Sequence, residues 1–96
     1  MSAYVIVQAR FNPGPELTQY REVASAAIQQ YGGRFVVRGK DKTVVEGQDN
    51  DLGKVVIIEF PSLEQAKRWY GSPEYAVALR SSAQAMTREL FIVEGG

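Results

Sequence analysis

The chain contains no cysteine and no histidine. Without cysteine it has no disulfide, no thiolate metal ligand and no cysteine nucleophile. Without histidine, the usual zinc sites, imidazole acid–base chemistry and haem ligation by a proximal histidine are excluded. The acidic residues do not cluster at the spacing of a carboxylate metal site. We therefore expect neither a bound metal nor a cofactor.

Long apolar runs and an excess of one charge are also missing. The longest aliphatic run is "VVII", far too short to span a membrane. The 11 basic and 11 acidic residues cancel and are interspersed, so the basic stripe of a nucleic-acid binder is absent. We expect no nucleic-acid partner and no membrane partner. Since "MSAYVIVQAR" lacks the pattern of a signal peptide, we expect a cytoplasmic location.

The length and composition are those of a small globular protein. The 96 residues suffice for one domain, residues 1–96, and 45% of them are apolar. A core of this size is marginal, so association with a second copy would stabilise it.

Apolar periodicity and turn signals predict the element order β-α-β-β-α-β. Strands are predicted over residues 3–10, 34–39, 54–60 and 89–94, with a short extra strand around 43–46. The first helix begins at Pro15 and carries one apolar face. That face consists of Leu17, Tyr20, Val23, Ala24, Ala27, Ile28 and Tyr31.

The second helical segment is predicted to break near Gly71. Ser62 is a predicted N-cap with Gln65 as its capping-box partner, and Ser72-Pro73-Glu74 restarts a helix. The predicted apolar face of the two halves consists of Ala66, Trp69 and Tyr70, continued at spacings of three and four by Ala76, Leu79, Ala83 and Met86. The predicted fold is an α+β, ferredoxin-like βαββαβ sandwich, with two helices on one face of a four-stranded antiparallel sheet.

Both faces of this sheet carry large apolar side chains, although the helices cover only one. Val55 and Ile57 alternate with Val56 and Ile58, and Phe91 alternates with its apolar neighbours. We expect a homodimer that packs sheet face on sheet face, a dimeric α/β-barrel. The alternative is a monomer in which a loop or the C-terminal tail covers the second face.

The chain resembles the bacterial family known as domain of unknown function 1330. The resemblance rests on "GGRFVVRGK", "VVEG", "VVIIEFPSLEQAKRWYGSPEY", Arg80 and the closing "VEG", and it covers nearly the whole chain. It implies the dimeric α/β-barrel superfamily and no particular activity. That superfamily includes cofactor-free oxygenases, lactone isomerases and haem-dependent enzymes, but fold does not transfer function. Where the family usually has "RGG", this chain has Arg38-Gly39-Lys40.

Glu59 is a carboxylate inside the most apolar strand, so it needs a partner or a proton. Arg38 and Arg10 are the expected partners. Beside an arginine, Glu59 could act as a general base or orient an anionic ligand. The interpretation we favour is a structural ion pair or a dimer contact.

The aromatic cluster also allows two interpretations. Trp69 follows Ala66 by three residues, which favours a core position. Tyr70 and Tyr75 flank the helix break, where a hydroxyl could point into a cavity between helices and sheet. The other candidates for such a cavity are Tyr4, Gln8, Arg38 and Arg80.

Three functional hypotheses follow. The first is a small dimeric protein that binds a partly anionic organic molecule between sheet and helices, with Arg38 and Arg80 supplying charge. The second is a cofactor-independent isomerase or monooxygenase of an aromatic or lactone compound, with Glu59 as base and Tyr70 as the candidate proton donor. The third is a pure interaction module whose dimer surface is its only role.

Overall fold

The computed structural model describes residues 1–96. The elements in chain order are β1 (Ala3–Phe11), α1 (Pro15–Gln30), β2 (Arg34–Asp41), β3 (Lys54–Phe60), α2 (Leu63–Tyr70), α3 (Pro73–Ala85) and β4 (Met86–Glu94). The strands form one antiparallel sheet in the order β2-β3-β1-β4. The predicted ferredoxin-like α+β fold is confirmed.

Side-chain alternation assigns each strand residue to one of two faces. On β1, Ala3, Val5, Val7 and Ala9 are buried beneath the helices. The register places Val5 opposite Ile58 and Ala3 opposite Phe60, so the even residues of β3 share this helix-covered face. The odd residues of β3 therefore lie on the other face, which no helix covers.

The end of α1 depends on two glycines. Gly32 has φ 81°, in the left-handed region that terminates many helices. A Cβ on Gly33 would lie within 2.8 Å of both Phe60 and Ile28. This close approach brings β2 back beneath the helical layer.

One buried serine separates α2 from α3. Ser72 Oγ donates to the Trp69 carbonyl at 2.7 Å and accepts the Tyr75 amide at 3.0 Å. Pro73 then occupies the first turn of α3. The predicted break in this helical segment is confirmed, and it fixes the positions of Trp69 and Tyr75.

Three local predictions are wrong. Residues 43–46 form no strand and lie in the connection between β2 and β3. Met86 begins β4, because the chain passes from helix to strand at Ala85 without a turn residue. On α3 the buried residues are Tyr75, Ala78 and Ala85, whereas Ala76 and Ala83 are exposed.

Two irregularities in β2 change the direction of Arg38. The register of β2 against β3 shifts between Phe35 and Val37 and again between Arg38 and Lys40. Arg38 consequently pairs with Val56 and faces the helices, as Phe35 does. Without the first shift, simple alternation would direct it to the uncovered face.

The uncovered face, which we call the open face, retains exposed apolar side chains. Phe91 and Val93 of β4 are 48% and 44% exposed, and Val36 is 49% exposed. Ile6 and Ile57 lie between them on the central strands. None of the three helices has both the length and the apolar character needed to cross a membrane.

Candidate functional site

A cavity of about 270 Å³ lies between α1 and the helix-covered face of the sheet. It is lined by 17 residues, of which 12 are hydrophobic. All four strands contribute to its wall, as do α1, Trp69 and Tyr75. Its volume lies just below the range of about 300–1,000 Å³ typical of drug-sized ligands, so it suits a molecule of one or two rings.

Three arginines line this mainly apolar cavity, and no acidic residue does. Each guanidinium lies over an aromatic ring: Arg21 over Phe11 at 5.1 Å, Arg38 over Phe35 at 4.3 Å, and Arg88 over Tyr20 at 5.5 Å. The two ion pairs of the chain, Arg34–Glu59 and Lys54–Asp41, use none of the three. The cavity wall is therefore cationic without an internal counter-ion.

A hydrogen-bonded triplet occupies the α3–β4 side of the cavity. Tyr20 Oη lies 2.6 Å from Tyr75 Oη, and Arg88 Nη1 donates to Tyr20 Oη at 2.8 Å. The three residues come from α1, α3 and β4 respectively. This triplet brings proton donors and a positive charge to the edge of an apolar space.

The surroundings of the triplet determine its charge state. Burial and the neighbouring Tyr20 raise the pKa of Tyr75 well above its ordinary value, so its hydroxyl keeps its proton. Burial alone would lower the pKa of Arg88, but the oxygens of Tyr20 and Tyr75 outweigh it, and the pKa is raised. Arg88 is therefore a permanent cation at the cavity wall.

Trp69 packs between Phe60 and Tyr75 in an aromatic cluster. It is 1% exposed, and its ring centroid lies 4.3 Å from that of Tyr75 and 5.3 Å from that of Phe60. Its indole N–H is buried without a hydrogen-bond acceptor. The ring is part of the core as well as of the cavity wall.

The structure brings together three of the seven predicted ligand-binding residues. Arg38, Trp69 and Tyr75 line the cavity. Tyr70 is 42% exposed on the outside of α2, and Arg80 is exposed on α3. Neither of these two lines the cavity.

The other two predicted binding residues, Tyr4 and Gln8, lie on the open face. Tyr4 donates to Glu59 Oε2 at 3.2 Å, and Gln8 accepts from Lys42 Nζ at 2.9 Å. Asn50 also donates to Gln8, at 3.2 Å. These contacts tie the connection between β2 and β3 to the sheet, away from the cavity.

Glu59 also lies on the open face. The prediction that Arg38 or Arg10 is its partner is wrong. Arg34, its direct neighbour across β2 and β3, donates to it at 2.7 Å, whereas Arg38 faces the cavity. Arg10 lies near the far end of β1 and forms no ion pair. The Ser2 hydroxyl and the Arg34 guanidinium lower the pKa of Glu59. A stabilised carboxylate on this face cannot act as base for a ligand in the cavity.

Three cavity residues were not predicted as site residues. The sequence pattern predicts Tyr20 only as part of the apolar face of α1, and no motif marks Arg21. Arg88 precedes the predicted start of the last strand, although it alternates in step with Leu90 and Ile92. Extending that alternation backwards by one step would have placed Arg88 on the cavity side. No three carboxylates lie close enough together to hold a metal ion.

The architecture and the cavity define a class: a ferredoxin-like α+β protein with an arginine-lined apolar cavity between its layers. The chain belongs to the domain of unknown function 1330 family (DUF1330), whose family model matches residues 2–96. No curated protein matches the chain in sequence.

Solved structures show the same fold at low sequence identity. RPA0582, a protein of unknown function from Rhodopseudomonas palustris, has a TM-score of 0.74 and 18% identity, over 99% of this chain and 82% of that one. A dimeric ferredoxin-like protein of unknown function from Jannaschia sp. CCS1 has a TM-score of 0.72 and 9% identity, over 99% and 100% of the two chains. SnoaB, a cofactor-independent oxygenase from Streptomyces nogalater, has a TM-score of 0.58 and 14% identity, over 99% and 91%.

Proposed function

We propose that the cavity binds a small organic anion with a flat apolar body. The observation that carries this proposal is the set of three arginines without carboxylate partners around a mainly apolar space. Guanidinium groups without a counter-ion favour an anionic ligand. Aromatic side chains on several sides of the cavity suit a ring.

The proposal is tested with cinnamate and its neutral analogue cinnamamide, which have nearly the same shape. Calorimetry at low salt is expected to show that cinnamate binds at least about tenfold more tightly, since charge-assisted hydrogen bonds are the stronger ones. Raising the salt concentration should weaken the binding of cinnamate and leave the binding of cinnamamide unchanged.

A variant pair locates the binding. Replacing Arg21, Arg38 and Arg88 by glutamine together is expected to abolish the preference for the anion. Arg80→Gln, a change on the outer side of α3, should leave it intact. If neither cinnamate nor any other aromatic carboxylate binds the wild-type protein or raises its melting temperature, the proposal fails.

The second candidate function is a cofactor-independent isomerase or monooxygenase acting on an aromatic or lactone compound. One observation favours it: Tyr20, Tyr75 and Arg88 bring proton donors to an apolar cavity. Tyr20 would be the proton donor in place of Tyr70, which does not line the cavity; Glu59, the expected base, does not line it either. Mass spectrometry after incubation with aromatic acids and lactones in air tests it: oxygenation changes the mass, whereas isomerisation changes only the NMR spectrum.

We also propose that the protein forms a homodimer through its open face. The exposed apolar residues of that face support this assembly. The similar protein from Jannaschia is itself dimeric. A single domain over residues 1–96, a bacterial cytoplasmic location and the absence of nucleic-acid and membrane partners stay predictions.

A further inference from the structure

The hydrogen-bonding capacity of Tyr75 fixes the direction of its bond with Tyr20. Tyr75 is 0% exposed, and the one acceptor that its hydroxyl can reach is Tyr20 Oη at 2.6 Å. If Tyr20 donated this bond, the proton of Tyr75 would be buried without an acceptor, and buried donors are nearly always paired. Tyr75 is therefore the donor and Tyr20 the acceptor.

Tyr20 then has a free proton. A phenol oxygen carries one proton and two lone pairs. One lone pair accepts from Tyr75, and the other accepts from Arg88 Nη1 at 2.8 Å. Tyr20 donates to no acceptor in the protein. Its O–H is thus available to a ligand, since the side chain lines the cavity.

Arg88 also has unused donors. A guanidinium has five N–H groups, and Arg88 donates through Nη1 to Tyr20. It is half-buried and has no ion pair. A charged donor and a neutral donor, held together by their mutual hydrogen bond, therefore lie side by side at the cavity wall.

We propose that Tyr20 and Arg88 together bind the carboxylate of an aromatic carboxylic acid, and that Tyr75 acts as a positioning residue that directs the Tyr20 proton toward it. This inference rests on the proposed function and specifies which end of the ligand lies where. Arg88 and Arg38 belong to β4 and β2, the opposite edges of the sheet. Three strand spacings, about 14 Å, separate these edges. The carboxylate lies on the β4 side, and the ring extends toward β2.

The experiment measures the affinities of cinnamate and cinnamamide for six proteins: wild type and the variants Tyr20→Phe, Arg88→Gln, Arg88→Lys, Tyr75→Phe and Arg38→Gln. In Arg88→Gln the carboxylate-over-amide preference is expected to fall about 10- to 100-fold. In Tyr20→Phe it should fall about tenfold, and in Tyr75→Phe by a smaller factor. The affinity for cinnamamide serves as an internal control, because general damage to the cavity would weaken the binding of both compounds.

Arg38→Gln is expected to change the preference by less than about threefold, because β2 is distant from the head group. Circular dichroism establishes that each variant is folded, and Arg88→Lys, which keeps the charge, should recover part of the preference. If the preference is lost in Arg38→Gln and survives in both Tyr20→Phe and Arg88→Gln, this inference is overturned while the proposed function stands. If wild type binds neither cinnamate nor any other aromatic carboxylate, both fail.

Discussion

Trp69 and Tyr70 are neighbours in sequence with different environments. Trp69 is 1% exposed and packs on Phe60 and Tyr75, whereas Tyr70 is 42% exposed. Successive helical residues point about 100° apart. One ring therefore enters the core, and the other lies at its edge.

Replacing Trp69 by alanine is expected to lower the free energy of unfolding by about 3–5 kcal/mol, because a large ring is lost from a packed core. Tyr70→Ala, the control at the adjacent position, should lower it by no more than about 1 kcal/mol. Urea unfolding monitored by circular dichroism measures both. Equal losses in the two variants would contradict the assignment of Trp69 to the core.

At the residue scale, the sequence predicts which side chains are buried better than it predicts which side chains form ion pairs. The spacing from Ala66 places Trp69 in the core, as the structure shows. The partner of Glu59 was not predictable, because it depends on the register of β2 against β3, which places Arg34 directly opposite Glu59. A one-residue shift moves a side chain to the other face of a sheet, and the shift after Phe35 turns Arg38 to the cavity.

At the element scale, the end of α1 and the start of α3 are joined through Glu74. Its carboxylate accepts Tyr31 Oη at 2.8 Å and Gln30 Nε2 at 3.1 Å. The Tyr31 bond, followed by the Glu74 backbone N–H, lowers the pKa of Glu74. Because the folded-state pKa is lowered, the stabilisation is present above the unfolded-state value, about 4.3, and is lost as pH falls through the folded-state value.

Glu74→Gln is accordingly expected to be less stable than wild type at pH 7, with a difference that shrinks as the pH falls to about 3. Urea unfolding at several pH values measures this difference. Glu64→Gln is the control, since Glu64 also lies in a first helical turn but has no hydrogen-bond partner. A stability difference between Glu74→Gln and wild type that stays constant across this pH range would contradict the stabilising role assigned to the Glu74 carboxylate.

Helix starts were predictable because they are marked by local chemistry. Ser62 and Ser72 accept the amides of Gln65 and Tyr75, as their N-cap signals indicate. The capping box predicted at Ser62 is not completed, because the Gln65 side chain donates to the Tyr31 carbonyl. The junction between α3 and β4 carries no such mark. Apolar residues continue across it, so the helical pattern was extended to Met86, which belongs to the strand.

At the scale of the whole molecule, the Cα atoms span 36 × 32 × 16 Å. The short dimension corresponds to one helical layer on one sheet, with the second sheet face uncovered. The accessible surface of 6011 Å² exceeds the roughly 5,500 Å² expected for a folded monomer of 10.6 kDa. A flat molecule with an apolar open face has surface available for a second copy.

Phe91→Glu is expected to convert the proposed dimer to a monomer, because a charge replaces an apolar side chain that is 48% exposed on the open face. Val77→Glu is the matched control, since Val77 is 43% exposed on the helical layer. Sedimentation equilibrium of wild type and both variants at micromolar concentration measures the mass. Single copies in the wild type would contradict assembly through this face.

Topology was predictable from sequence because it follows from the order and periodicity of the elements. The cavity was not, because it depends on how far α1 lies from the sheet and on side chains contributed by all seven elements. The expected space between sheet and helices exists. Its charged wall comes mainly from Arg21 and Arg88, which no local motif marks.

The most direct test of the binding site is a crystal structure of the protein grown with cinnamate. The ring should lie between α1 and the sheet, with its carboxylate within hydrogen-bonding distance of Arg88 and Tyr20. Ligand density confined to the open face or the outer helix surface, with an empty cavity, would contradict the proposed site.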